Sequence, residues 1–394
     1  MKKWIKKLGK TAFLFLYNIE RTCLPVKKNV ILFESNVGRN YTGNPKAIYE
    51  EMVKQGLDQK YQCIFSLENT NTPVPGAARK VKRLRLSYFY YMAVAKVWVS
   101  DSRLPEFIVK RKETKYIQTW HGTPLKKLAL DLDSIHMDGE SSLEEYKFKF
   151  KENSSTWDYL ISQNKFSSNV FRRCFAFKKE MLETGYPRND VLFQKNNEED
   201  IRKLKEKFQI PLNKKVLLYA PTWRDDQFYG ENQYKFTSNI DYDLMEKELS
   251  QEYVLLVKCH YLVKDRIDWS KYKGFIYSFG SECDIAELYL IADQMITDYS
   301  SVMFDYSLLK RPMFFFAYDL ECYKDELRGF YFDYLGEIPG PVSQTTEELI
   351  RDIYQYQSKD YQEKYDLFTD KFNTFDDGKA SKRIVECIEK LVQL

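Results

Sequence analysis

Short apolar runs alternate with amphipathic stretches along almost the whole chain, a pattern that predicts helices packed on parallel sheets. In the first half, Asn29–Glu34, Tyr61–Ser66, Lys96–Ser100, Lys115–Trp120, Asp158–Ser162 and Met181–Thr184 read as strands. Pro45–Gln55 and Ser87–Ala95 read as helices between them. The charged stretch 191–213 predicts a connecting helix, after which a second series begins. Its strands are Lys215–Tyr219, Tyr253–Lys258, Phe275–Tyr277, Gln294–Thr297 and Pro312–Phe316, with a helix over Asp284–Ala292. A last helix, from an N-cap at Ser381, places Ile384, Val385, Ile388, Leu391 and Val392 on one face.

Two such series in 394 residues predict two domains of ordinary size. The expected division is a basic segment at 1–28, a first α/β domain at 29–190, a second at 191–372 and a closing helix at 373–394. No GxGxxG follows a strand, which argues against a dinucleotide oxidoreductase. The pattern fits a GT-B architecture, two Rossmann-like domains whose parallel sheets face a central cleft, with ligands at the carboxyl ends of the strands.

Composition narrows the classes. A net charge of +4 is too small to argue for or against nucleic acid; no nucleic-acid partner is expected. Seven scattered cysteines without a CxxC pair argue against a disulfide framework and suit a reducing compartment. With only three histidines, no metal site and no cofactor are expected. Charge is instead concentrated locally. Lys2, Lys3, Lys6, Lys7, Lys10, Arg21, Lys27 and Lys28 crowd the start, around the apolar run Ala12–Tyr17. That run is far short of the roughly 20 residues that span a bilayer. It predicts a helix lying in a membrane interface or packed on its own domain. The run Arg79–Arg85 ahead of Ser87–Tyr91 reads by default as a solvated basic helix face, with a nucleic-acid surface or a patch on anionic lipid as alternatives; beside the basic start it suggests lipid.

Three constellations at strand ends carry candidate chemistry. His121 follows a strand and precedes Gly122, Thr123 and Pro124. An imidazole there suits proton abstraction near neutral pH, and the glycine admits a ligand to the backbone. Lys258 and His260, two apart at another strand end, project to one side and suit a diphosphate. Thr297, Asp298, Ser300 and Ser301 read as a turn into a helix start, an anion site strengthened by hydroxyls. Arg188, at the domain junction, and Arg224, after the first strand of the second domain, add cations for a phosphate. Asp225 and Asp226 more simply cap a helix than hold an ion.

The segments Trp120–Pro124, Gly185–Asp190, Ala220–Asp225, Thr297–Ser301, Phe304–Tyr306 and Arg311–Pro312 together resemble the CDP-glycerol glycerophosphotransferases of teichoic acid synthesis. The resemblance implies a GT-B fold and a CDP-glycerol or CDP-ribitol donor on the second domain. It also implies a polyprenyl-diphosphate-linked saccharide acceptor and peripheral attachment at the cytoplasmic face of the cell membrane. It makes His121 the base and places His260 by the donor diphosphate, with CMP as the leaving group. Tyr261 stands where the family usually has proline, and without the long N-terminal extension of the large polymerases the chain is similar to the short enzymes. A homo-oligomer is left open. A GT-B glycosyltransferase using a nucleotide sugar, and an inactive lipid- or nucleotide-binding module, are the rival readings.

Overall fold

The computed structural model describes residues 2–134, 142–222, 228–230, 233–234, 239–258, 268–280, 283–320 and 329–394, with side chains from Phe13 onward except at 228–234. The first sheet contains β1 (Lys27–Glu34), β2 (Gln62–Leu67), β3 (Arg79–Lys82), β4 (Ala95–Ser100), β5 (Lys115–Gln118), β6 (Tyr159–Ser162) and β7 (Glu180–Glu183). These run parallel in the order β3-β2-β1-β4-β5-β6-β7. After β8 (Lys215–Ala220) comes a small hairpin of β9 (Phe228–Gly230) and β10 (Gln233–Tyr234). The second sheet continues with β11 (Tyr253–Val257), β12 (Ile276–Ser278), β13 (Gln294–Thr297), β14 (Met313–Phe316) and β15 (Val342–Ser343). It too is parallel, in the order β12-β11-β8-β13-β14-β15.

The strands form where the apolar runs lie because both faces of each sheet are covered. Val30 and Leu32 of β1 join one core cluster, while Ile31 and Phe33 join the cluster on the opposite face. In the second sheet Leu218 and Leu217 divide in the same way. The strand order reverses between β1 and β4 and again between β8 and β13. Such reversals leave crevices at the carboxyl ends of the strands, where ligands bind.

Three features depart from expectation. The basic run is not a helix face: Arg79–Lys82 is the edge strand β3, with Val81 buried. Arg83, next to it, pairs with the buried Glu34 carboxylate at 3.1 Å. The connecting stretch holds two helices, Asp190–Gln194 and Glu198–Lys207. Ser381 does not cap the last helix, which runs from Ala380 to Gln393. Its first amide groups are capped from afar, by Asp190, whose carboxylate accepts from Ala380 N (2.9 Å) and Ser381 N (2.7 Å).

The N-terminal helix, Lys2–Cys23, packs on its own domain, one of the two places that the sequence offered. Tyr17 is buried, donates its hydroxyl to the Val109 carbonyl at 2.8 Å and packs on Phe89, where Phe13 also stacks. Phe15, Leu16 and Ile19 remain exposed. No helix among the described residues is long and apolar enough to cross a membrane.

The closing helix returns to the first domain, where Ile384, Ile388 and Leu391 pack against Ile31, Phe33 and Ile48. Ile388→Ala should therefore cost about 2–5 kcal/mol, read as a lower urea midpoint for the first domain. An unchanged midpoint would show that the helix is no part of that core.

Candidate active site in the interdomain cleft

β5 ends at Gln118, and its side-chain oxygen accepts from the Trp120 amide at 2.9 Å. Trp120 then adopts a left-handed backbone, φ +51°, a region that bulky residues seldom enter. Its ring sits among Trp157, Phe171 and Phe175 and stacks on the His121 imidazole at 4.4 Å and 21°. The turn sends His121 out of the first domain into the cleft.

Water reaches the His121 ring, yet both domains wall it. That partial desolvation, with the Arg188 cation nearby, lowers its pKa from 6.5 to about 4. The imidazole is therefore neutral at pH 7 and able to accept a proton.

The facing wall comes from the second domain. Pro221 and Thr222 follow β8, and Tyr299, Ser300 and Ser301 follow β13; with His121 and Gly122 they line a cavity of about 270 Å³. A Cβ on Gly122 would stand 3.0 Å from Ser301 Oγ, so glycine eases the close approach of the two walls. Ser301 occupies the N-cap position of the helix Val302–Tyr306, but its hydroxyl caps none of that helix's amides. The helix has only five residues, so the anion-binding character expected there rests on hydroxyls more than on a helix dipole. Larger cavities, about 450 and 480 Å³, open beside Leu104 and Glu106 in the first domain. The smaller one is taken as the site because the histidine and the strand ends of both domains converge on it.

Other predicted residues make bonds within the protein, Thr123 among them although it too lines the cavity. The Thr123 hydroxyl donates to Gln163 at 2.7 Å and accepts from Asn164 at 3.0 Å, all buried. Thr297 donates to the Ala220 carbonyl at 2.8 Å, and Asp298 accepts from the Thr222 amide at 2.8 Å. These two tie the ends of β13 and β8 together. The Lys258 ammonium donates to the carbonyls of Gly280 and Cys283. Arg224 and His260 lie outside the described residues, as do Tyr261, Asp225 and Asp226. No group of histidine, cysteine and acidic side chains that would hold a metal occurs among the described residues.

Arg188 stands at the domain junction, as expected, but it is held by protein groups that the sequence did not point to. Its guanidinium bonds Asp305 of the second domain through Nε (3.1 Å) and Nη2 (2.6 Å), and its Nη1 donates to the His121 carbonyl at 2.6 Å. Asn189 donates to the other Asp305 oxygen at 3.0 Å. Beyond this pair, Lys126 and Phe330 form an antiparallel bridge across the domains. On the far side Lys46 pairs with Asp284 at 2.7 Å. Asp305 is nearly fully buried and Arg188 largely so. Asp305→Ala should therefore cost about 3–5 kcal/mol, because it strands a buried cation. Thermal unfolding would show this as a lowered midpoint; a midpoint equal to wild type would mean that the pair holds nothing together.

With this geometry in view, relatives become informative. Residues 16–390 match the family described as CDP-Glycerol:Poly(glycerophosphate) glycerophosphotransferase. The teichoic acid poly(glycerol phosphate) polymerase of Bacillus subtilis (strain 168) is 44% identical over 98% of this chain and 52% of its own, so the chain spans about half of that relative. The teichoic acid glycerol-phosphate transferase of Staphylococcus aureus (strain NCTC 8325) is 42% identical over 99% of this chain and 100% of its own. The structure of the wall teichoic acid polymerase TagF superposes with a TM-score of 0.92 at 42% identity, covering 99% of this chain and 96% of that one. A histidine-to-asparagine variant of TagF soaked with CDPG superposes with a TM-score of 0.90 at 41% identity, over 99% and 95% of the two chains. The chain belongs to the CDP-glycerol:poly(glycerophosphate) glycerophosphotransferase family.

Proposed function

We propose that the chain transfers glycerol phosphate from CDP-glycerol to a hydroxyl of a lipid-linked acceptor, with His121 as the base. One observation carries this reading. The His121 imidazole of the first domain and two serine hydroxyls of the second line one cavity at the strand ends, where Gly122 brings the two walls close. The acceptor oxygen attacks the β-phosphorus of the donor as its proton passes to His121. A new P–O bond forms, the bond to the bridging oxygen breaks, and CMP leaves with the negative charge. Ser300 and Ser301 donate to the phosphates; Lys258, His260 and Arg224 belong to the same reading as cations near the diphosphate. Glycerol rather than ribitol is supported by the glycerol-phosphate enzymes at 42–44% identity. Peripheral attachment at the cytoplasmic face of the membrane completes the proposal. It is supported by exposed Phe15, Leu16 and Ile19 on a helix that is itself anchored to the first domain through Tyr17.

His121→Ala should lower CMP release from CDP-glycerol by roughly 100- to 10,000-fold while donor binding persists. A panel of CDP-glycerol, CDP-ribitol and UDP-sugars, scored by nucleotide release, tests the donor. Undiminished turnover by the alanine variant would sink the assignment of the base.

The pH dependence has a definite sign. Protonated His121 cannot accept a proton, so activity falls as pH drops through its pKa. In the free enzyme that pKa is depressed to about 4, and kcat/KM should hold well below pH 6.5. A bound diphosphate offsets the Arg188 charge and favours the imidazolium, so the acid limb of kcat should lie at higher pH than that of kcat/KM. Coincident limbs near pH 6.5 would contradict this.

A further inference from the structure

Asn44 stands in the first turn of the helix Gly43–Lys54, a region where asparagine commonly serves its own helix. Here it serves another part of the molecule. Its side chain is buried, and Nδ2 donates to the carbonyls of Thr119 (3.3 Å) and Trp120 (3.1 Å). Its Oδ1 accepts from the Arg188 amide at 3.1 Å. Arg188 in turn donates to the His121 carbonyl at 2.6 Å. Three consecutive carbonyls, 119 to 121, are thus held by two residues, themselves joined by a hydrogen bond. Only a carboxamide of this length offers both the donors and the acceptor. A carboxylate has no donor, and a hydroxyl is shorter with one. The reversed amide would set its oxygen against two carbonyls, so the network itself assigns the orientation.

What needs holding is the left-handed Trp120. A bulky side chain at φ +51° is strained by about 1–3 kcal/mol and persists only where its surroundings over-determine it. Aromatic packing fixes the ring; the hydrogen bonds to the carbonyls fix the backbone on either side. Were the backbone to relax to the ordinary extended region, the chain after Trp120 would turn and carry the imidazole out of the cleft.

We infer that Asn44 is a positioning residue for the transfer reaction, locking the Trp120 turn that aims His121 at the gap between Gly122 and Ser301. Arg188 completes the clamp, and through Asp305 the clamp is anchored on the second domain. The orientation of the histidine is thereby tied to the seating of one domain on the other. The inference rests on the reading of His121 as the base.

Asn44→Asp tests it with little change of size. The aspartate keeps an acceptor for the Arg188 amide, loses both N–H donors and turns an oxygen toward the 119 and 120 carbonyls. The full chain should stay folded by circular dichroism, with kcat for CMP release from CDP-glycerol lowered roughly 10- to 100-fold and the donor KM unchanged. A second readout is the titration of the His121 ring, followed by proton NMR in Asn44→Ser, since an aspartate carboxylate would itself raise the pKa of the ring. With three histidines in the chain, its resonance is assignable by comparison with His121→Ala. It should titrate higher than in the wild type as the ring leaves its walled position. Asn44→Ser, which brings no charge, keeps the test open if the aspartate variant does not fold. Folded Asn44 variants with wild-type kcat, or with a loss confined to KM, overturn the inference. If His121→Ala is inactive while the Asn44 variants run at full rate, the clamp alone is rejected. If His121→Ala is itself fully active, the reading of the base falls instead.

Discussion

Arg188 and Asp305 meet at 2.6 Å where the first domain hands the chain to the second, and much of the cleft hangs from that contact. Taking two charges out of water is costly, and their attraction offsets that cost only when further hydrogen bonds satisfy the remaining donors and acceptors. Here they do. Asn189 supplies one bond to the carboxylate, and the His121 carbonyl takes one from the guanidinium. The pair therefore acts on both sides of the cleft. It fixes the helix that follows Ser301, and it holds the backbone from which the histidine projects. The same cation helps keep the imidazole neutral.

The other ties between the domains reinforce this point of contact. The Lys126–Phe330 bridge pins the segment just after the histidine turn, and Tyr331 adds bonds to the Leu125 carbonyl and Asp131. The closing helix crosses back to the first sheet and takes its cap from Asp190, next to the junction. Asp376, just before that helix, bonds the Tyr186 amide; burial raises its carboxyl pKa to about 7. Polar groups this deeply buried are costly if unmatched, so they favour one arrangement of the two domains over near alternatives. A site built from both walls needs that, because proton transfer and phosphoryl transfer tolerate little misplacement.

Within the site, burial divides the labour among residues that look alike in the sequence. Thr123 and Thr297 have spent their hydroxyls on buried partners and shape the walls. Ser300 and Ser301 stand at the surface of the cavity. The difference is one of depth, not of residue chemistry.

The alternation of apolar runs and amphipathic stretches was enough to determine two parallel α/β domains, since a strand covered on both faces has to be apolar throughout. It also placed His121, Ser300 and Ser301 at strand ends, where such sheets bind ligands. Sheet order, and with it which strand ends adjoin, came only from the fold. So did the edge strand hidden in a basic run, where a single buried Val81 and the Arg83–Glu34 pair outweigh the look of a solvated surface. Least legible was the clamp on the histidine. Asn44, Arg188 and Asp305 lie more than a hundred positions apart and follow no period. Their roles arise from directional bonds at about 3 Å, which exist only once the two domains have packed.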